Sequence, residues 1–291
     1  MNIKVLITGA NGQLGRSIKK IIEDFSDLQF MFLTSEQCDI TDGDKFRKII
    51  EDYNPDYLIN AAAYTAVDQA ESNEEDAMAV NAYALQNIGR AMAGKKCIHI
   101  SSDYVYHLDK DVPYTEDMPL NAQGVYARSK AIGESILQRT SCDSIIIRTG
   151  WLYSEFGNNF LKTMLHLSET RNEINVVDDQ WGCPTYATDL AYVILHIIHE
   201  DSKNKVSLKS WNKVYNYSNI GVTNWYEYAC TIIKMAGKSL LINPIPSVLY
   251  PMPATRPPWG VLDTTKIKSE FSIEIPAWKV SLEKCIDILI N

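Results

Sequence analysis

Tyr126 and Lys130 stand four residues apart in Tyr126-Ala127-Arg128-Ser129-Lys130, a stretch that reads as the opening of a helix. Side chains at i and i+4 lie one above the other on a helical face, so a phenol and an ammonium at this spacing can share a site. A nearby cation favours the phenolate. The pair is therefore expected to pull the tyrosine below its usual pKa of about 10 and make its hydroxyl useful for proton transfer near neutrality. The spacing alone fits a solvated helix face equally well, and the rest of the chain is what favours chemistry. Upstream, Lys96-Cys97-Ile98-His99-Ile100 reads as a strand that delivers Ser101-Ser102-Asp103-Tyr104-Val105-Tyr106. Hydroxyls and a carboxylate at the C-terminal tip of a parallel strand are where Rossmann-type sheets place their chemistry. Ser102 there can hydrogen-bond a substrate carbonyl while Tyr126 protonates it.

Such groups need a frame, and the N-terminal half supplies one. Ile3-Lys4-Val5-Leu6-Ile7-Thr8 is a β-rich run of the buried, parallel kind. It enters Gly9-Ala10-Asn11-Gly12-Gln13-Leu14-Gly15, after which Leu14, Ile18, Ile21 and Ile22 mark one face of a helix. Strand, glycine loop and helix in that order form the start of a dinucleotide fold, with the pyrophosphate brought to a helix N-terminus. The second strand, residues 29–34, ends at Thr34-Ser35, which offers neither a carboxylate for a free ribose hydroxyl nor an arginine for a 2'-phosphate. NADPH and NADH therefore both stay open. Asp39-Ile40 can hydrogen-bond and pack on an adenine, or Asp39 can cap the helix that follows. A third strand, residues 57–60, leads into Ala61-Ala62-Ala63-Tyr64, whose small residues suit a ligand close to the backbone. A helix over residues 77–93 turns Val80, Ala84, Leu85 and Ile88 inward. Its Asn81 fits a buried structural amide as well as a site residue.

Composition narrows the class. With 291 residues, 46% hydrophobic and 22% charged, the chain is an ordinary globular protein of one large domain or two. A net charge of −8 argues against nucleic acid and against anionic membrane surfaces. No apolar run approaches the roughly 20 residues of a membrane span, and the first residues run into a strand rather than a signal peptide. Cys38, Cys97, Cys142, Cys183, Cys230 and Cys285 lack any Cys-x-x-Cys or zinc spacing, so reduced thiols and a cytoplasmic location are expected. His196 and His199 have an i, i+3 spacing that could seat a metal, but no third ligand accompanies them.

The expected architecture is an α/β, doubly wound parallel sheet over residues 1–150, followed by a smaller substrate-binding lobe over 151–291 with some segments returning to the sheet. Residues 144–149 form a further strand, and beyond it the strand and helix alternation loosens. Within the lobe, Trp151 and Trp181 read as core or lid aromatics, and Arg256 between prolines reads as a phosphate clamp or a solvent-facing arginine.

Taken together, Gly9 to Gly15, Ser102, Tyr126 and Lys130 resemble the extended short-chain dehydrogenase/reductase family over nearly the whole chain. Asn60-Ala61-Ala62-Ala63-Tyr64-Thr65-Ala66-Val67-Asp68, Ser101-Ser102-Asp103-Tyr104-Val105, Gly157-Asn158-Asn159-Phe160 and Asp179-Gln180-Trp181-Gly182-Cys183-Pro184-Thr185 resemble its dTDP-4-dehydrorhamnose reductase subgroup. The resemblance implies that Gly12, Gln13 and Leu14, flanked by Gly9 and Gly15, line the pyrophosphate. It places Asp39 and Ile40 at the adenine, and Ala63, Tyr64 and Thr65, after Ala61 and Ala62, near the ribose or nicotinamide. Tyr126 would be the acid, and Lys130 would hold the nicotinamide ribose. Ser102, Asp103, Tyr104, Trp151, Asn159 and Arg256 would meet a small-molecule nucleotide sugar. The implied reaction is hydride transfer to the 4-keto group of dTDP-6-deoxy-L-lyxo-4-hexulose. Ser102 stands where threonine is usual and keeps the hydroxyl. Some relatives dimerise through magnesium near the first helix, but Arg16-Ser17 supplies no carboxylate there, so monomer and homodimer both stay open.

Two rival readings share this pattern. One keeps the fold for another nucleotide-sugar 4-ketoreductase, an epimerase or a dehydratase; dehydratases of this kind carry an Asp-Glu pair after the active-site hydroxyl, whereas this chain has Asp103-Tyr104. A regulatory subunit like that of methionine adenosyltransferase would use the fold for binding alone, without need of Ser102, Tyr126 and Lys130.

Overall fold

Short apolar runs alternate with amphipathic helices from the N-terminus, and each repeat adds one parallel strand. The computed structural model describes residues 3–108, 111–203 and 211–290. In chain order the sheet-building elements are β1 (Ile3–Thr8), α1 (Gln13–Lys20), β2 (Leu28–Leu33), α2 (Gly43–Tyr53) and β3 (Tyr57–Asn60). There follow α3 (Val67–Ala70), α4 (Glu74–Met78), a π-helical turn (Ala79–Tyr83), α5 (Ala84–Ala91), β4 (Lys96–Ser102), α6 (Gly124–Gln138) and β5 (Asp143–Thr149). Of the loop between β4 and α6, residues 109 and 110 lie outside the described residues.

The first five strands pair in the order β5-β4-β3-β1-β2, all parallel. The order reverses between β1 and β3, and a crevice opens outside the carboxyl ends of strands at such a point. Because successive strand residues point to opposite faces, one run can serve two cores. Val5 and Ile7 of β1, Ile59, Ile98, Ile145 and Ile147 pack on one side with Leu14 and Ile18 of α1. Leu6, Leu58, Cys97 and Ile146 pack on the other with Phe46 of α2, Leu85 and Ile88 of α5 and Leu137 of α6. Each such side chain, fully buried, contributes about 1.5–3 kcal/mol, which is why these strands read as continuous apolar runs.

After β5 the chain builds a second unit and then returns. β6 (Leu152–Tyr153), α7 (Phe160–Thr170), β7 (Glu173–Val177), β8 (Trp181–Gly182) and β9 (Thr185–Tyr186) lead to α8 (Ala187–Ser202) and β10 (Lys213–Asn216). The largely buried α8 covers the α1 side of the sheet with Leu190, Ile194, Ile197 and Ile198, and β10 pairs in parallel with β5 as its sixth strand. The rest is β11 (Thr223–Asn224), α9 (Trp225–Met235), β12 (Leu241–Ile245), β13 (Trp259–Gly260), α10 (Thr265–Phe271) and α11 (Trp278–Ile290). Of these, α10 sends Ile267 and Phe271 into the sheet core, whereas α9 and α11 join α7 around Tyr153, Leu161, Tyr186, Tyr228 and Leu282. Among the described residues no helix is long and apolar enough to cross a membrane.

One buried ion pair fixes α6 on the sheet. Arg148 of β5 and Glu134 of α6 are each about 4% exposed or less, and the guanidinium holds both carboxylate oxygens, with Nη2 at 2.6 Å. Removing one partner strands a buried charge, so Glu134→Gln is expected to lower stability by about 3–5 kcal/mol in denaturant melts. A loss under 1 kcal/mol would mean that α6 is held by its apolar contacts alone.

Candidate active site

The N-terminus of α6 is set from a distance. Its N-cap, Gln123, provides no side-chain hydrogen bond, and Glu71 from the α3–α4 turn accepts from the Val125 amide at 2.8 Å instead. A carboxylate at a helix N-terminus also complements the helix dipole. The next residue is Tyr126, half-buried, with its ring edge-on to Tyr104 at 5.7 Å and 83°. One turn on, Lys130 is 1% exposed, and its Nζ donates to the Ile100 carbonyl of β4 at 2.7 Å. The helix thus brings both residues to the β4 tip.

Their electrostatics differ from the expectation raised by the i, i+4 spacing. Burial pushes the Tyr126 phenol up to about 12, opposed by a hydrogen bond with the Ser102 hydroxyl and reinforced by Asp103. Lys130 is not among the groups acting on it, because the ammonium is drawn down to a sheet carbonyl. Burial also brings Lys130 itself down to about 8, against the pull of Glu134. Desolvation outweighs the cation, and Tyr126 is a fully protonated donor at neutral pH.

Ser102 is the last residue of β4, and Asp103 opens the short turn that follows it. The Ser102 hydroxyl donates to Asp103 Oδ1 at 3.0 Å and accepts from the Tyr104 amide at 3.2 Å. Asp103 is 2% exposed, and its Oδ2 has no hydrogen-bond partner among the described residues. That oxygen presses on Gly150, where any Cβ would overlap it. Burial raises the carboxyl from its ordinary value of 3.8 to about 7, with Ser102 opposing. Below the site, Thr8 donates to Asn60 Oδ1 at 2.7 Å, and Asn60 Nδ2 lies 3.0 Å from His99 Nδ1. Burial, and then the Lys130 charge, keep that imidazole neutral. With Nδ1 accepting from the amide, its proton sits on Nε2.

The dinucleotide loop lies across the crevice at the β1/β3 switch. Gly9 has φ +69°, and a Cβ there would stand 2.6 Å from the Ala61 backbone, so the first turn and the Ala61-Ala62-Ala63 segment approach as closely as backbones can. Gly12 caps α1 without any side chain, which leaves the first amides of the helix to an anion. The residues present thus fit a dinucleotide pyrophosphate. Three of the side chains expected at the pyrophosphate or the adenine do something else. Leu14 and Ile40 are buried in the two sheet cores, so they offer a ligand only backbone. The Gln13 amide is committed to the lobe, donating to the Leu152 carbonyl at 3.3 Å and accepting from Ser154 and Asn159 at 3.0 and 2.9 Å. Asp39 remains exposed and accepts from the Thr41 amide, while Asp42, not Asp39, caps α2. Past the alanines, Asn81 brackets Tyr64, accepting from its amide at 2.9 Å and donating to its carbonyl and to Ser129 at 3.0 Å each. It sits in the π-helical turn, an irregularity frequent at functional sites. Thr65 beside it is exposed.

On the substrate side, Trp151 has φ +49° and stacks on Trp225 at 3.5 Å and 8°, with Phe160 behind the second indole. Nothing in the sequence pattern had singled out Trp225, although an indole at the first position of an amphipathic helix was the available signal. Asn159 proves to be a structural residue. It caps α7 by accepting from Lys162 and gives its amide protons to Gln13, Ser154 and Phe156, so its side chain is engaged within the fold. Arg256 is no free clamp either: its fork grips Asp68 at 2.9 and 2.7 Å and holds that carboxyl below the usual range. Both ions act on Tyr104, which places the pair beside the tyrosines. His196 and His199 lie apart from the site, near the Phe271 carbonyl and Asp27. Among the described residues no group of three or more His, Cys, Asp or Glu could hold a metal, and all six cysteines are free.

Comparison with known proteins agrees with this geometry. Residues 3–291 match the family model described as RmlD substrate binding domain. The chain is 38% identical to the dTDP-4-dehydrorhamnose reductase of Aggregatibacter actinomycetemcomitans, over 96% of this chain and 97% of that one. It belongs to the dTDP-4-dehydrorhamnose reductase family. A second family member, from Burkholderia thailandensis, is 34% identical over 99% of this chain and all of its own. The crystal structure of the Bacillus anthracis reductase in complex with NADP superposes with a TM-score of 0.92 at 32% identity, covering 99% of this chain and 100% of that one. The sheet and the glycine loop belong to the Rossmann type expected for that family.

The buried Asp103 makes a pH-dependent contribution. Its folded value, about 7, lies above its ordinary 3.8, so the folded state binds the proton more tightly. The stability this gives is complete below about pH 4 and is lost as pH rises through 7. Asp103→Asn is expected to melt above the wild type at pH 8 and to lose that advantage at pH 4. A variant less stable at pH 8 than at pH 4, relative to wild type, would refute the assignment.

Proposed function

We propose that this chain reduces the 4-keto group of dTDP-6-deoxy-L-lyxo-4-hexulose to give dTDP-L-rhamnose, using NADPH or NADH. The observation that carries the reading is a protonated, desolvated Tyr126 meeting Ser102 at the β4 tip, across the crevice from the glycine loop. A ketone accepts a hydride on carbon only as its oxygen acquires positive neighbours or a proton. The reduced nicotinamide, when bound, supplies that hydride. Tyr126 holds the proton destined for the carbonyl oxygen, and burial keeps it on the phenol until then. The Ser102 hydroxyl, placed by Asp103 and the Tyr104 amide, turns its one proton from Asp103 to the same oxygen when the ketone is bound. Lys130 spends one donor on Ile100 and has two left for the nicotinamide ribose. Backbone around Gly9, Gly12 and Gln13 receives the pyrophosphate, and Asn81 fixes Tyr64 beside the ribose. Trp151, backed by Trp225, offers an indole to a sugar.

Several features support this over the rivals. Tyr104 occupies the position where a dehydratase needs a glutamate, so the second acid/base group is missing. The proton-transfer set is intact, which a binding-only subunit does not require. Relatives named for this reaction match end to end, and one was crystallised with NADP.

The test follows nicotinamide absorbance on adding the keto-sugar with each cofactor in turn. Sugar-dependent oxidation is expected, and the ratio of the two rates reports the preference that Thr34 and Ser35 leave open. Tyr126→Phe should slow turnover about 10²- to 10⁴-fold while cofactor binding persists. Full turnover in that variant would remove Tyr126 from the mechanism, and no oxidation by folded, cofactor-binding wild type would refute the reading.

A further inference from the structure

Two motifs far apart in the chain meet at one side chain. Gln13 belongs to the glycine loop and Asn159 to Gly157-Asn158-Asn159-Phe160, and their amides are 2.9 Å apart. The Gln13 carbonyl oxygen accepts from both Asn159 and the Ser154 hydroxyl, and its Nε2 donates to the Leu152 carbonyl. The same face of α1 continues the contact at i+3 and i+7. The Arg16 guanidinium lies over the Phe156 ring at 4.4 Å, and Lys20 pairs with Glu155 at 2.5 Å. One helix face therefore grips residues 152–159. That face starts at Gln13, directly after the anion-binding N-cap Gly12, and residue 152 adjoins Trp151, the indole on the sugar side.

We infer that Gln13 is a positioning residue that couples the dinucleotide loop to the sugar platform, so that cofactor binding orders the segment from Trp151 to Asn159. The inference rests on the proposed dinucleotide site. Its chemistry is simple: a side chain whose carbonyl and one amide proton are spent on the lobe is held by that lobe, and it moves with the backbone that receives the pyrophosphate. Leu152, Ser154 and Asn159 come from three points along one irregular segment. An amide bridging all three removes the freedom of that segment only while the loop beneath it is itself still. Fixing the loop with a cofactor then stiffens the segment, and the left-handed Trp151 backbone next to it inherits the order. The sugar would then find its platform already formed when the cofactor is in place.

Amide hydrogen exchange on the whole chain with and without saturating NADP⁺ tests this without any sugar. In wild type, exchange is expected to slow about fivefold or more both in residues 9–16 and in residues 152–163. Gln13→Met keeps the volume and loses every hydrogen bond, so it should still bind NADP⁺ and show protection confined to residues 9–16. Three results would overturn the inference. They are wild-type protection that stops at the loop, protection of 152–163 that survives in Gln13→Met, or a folded Gln13→Met that no longer binds NADP⁺, which would make the side chain a direct cofactor ligand. Lack of keto-sugar turnover would count against the proposed reaction and leave this readout intact, whereas wild type that binds no NADP⁺ would overturn both.

Discussion

The site depends on α6 being pressed, dry, against the carboxyl end of β4. A helix that carries a lysine, a glutamate and a tyrosine toward a sheet needs a partner for each. Glu134 has Arg148, Lys130 has the Ile100 carbonyl, and Tyr126 has the Ser102 hydroxyl. Those three contacts anchor the helix at three levels. They also bury these groups, and the lost hydration shifts the protonation of each. The phenol and the His99 imidazole are held neutral by burial, while the Asp103 carboxyl and the Lys130 ammonium are brought toward neutrality. A reductase acting on a ketone needs such a place, because a proton donor in water would be in competition with solvent for every hydrogen bond.

Around that constraint the rest of the molecule is arranged as two grips on one crevice. The reversal of strand order between β1 and β3 opens the crevice, and the close approach of Gly9 to Ala61 shapes its floor. The second unit is then tied across it at two points. Gln13, Arg16 and Lys20 hold one side, and the Arg256 to Asp68 fork holds the other, next to Tyr104. Polar bridges of this kind specify geometry more than they add stability, since each exchanges protein contacts for water contacts at little net gain.

Much of this was legible in the sequence, for a physical reason. Buried parallel strands advertise themselves as apolar runs, so β1, β3, β4 and β5 could be read directly, and the glycine loop and Tyr126 with Lys130 could be placed on them. What failed was the assignment of side-chain partners. Leu14 and Ile40 lie in ligand-binding motifs, yet strand and helix periodicity sends their side chains to the core. Gln13 and Asn159 were candidates for ligand contact through the family resemblance, and Arg256 as a polar residue in a proline-flanked loop. Gln13 meets Leu152, Ser154 and Asn159 at separations of 139, 141 and 146 residues, and Arg256 meets Asp68 at 188, and no local rule reaches that far. The same limit misjudged the tyrosine. Spacing on a helix brings Lys130 beneath Tyr126, but only the sheet supplies the carbonyl that draws the ammonium away.

The claim that desolvation, and not the lysine, governs the proton donor can be measured directly. Tyrosines labelled with ¹³C at the phenolic carbon can be titrated by NMR in the cofactor-free protein, with Tyr126→Phe identifying the resonance. The account predicts that this phenol titrates well above 10, toward about 12. A midpoint below 10 would show that the cation prevails over burial and would contradict the account.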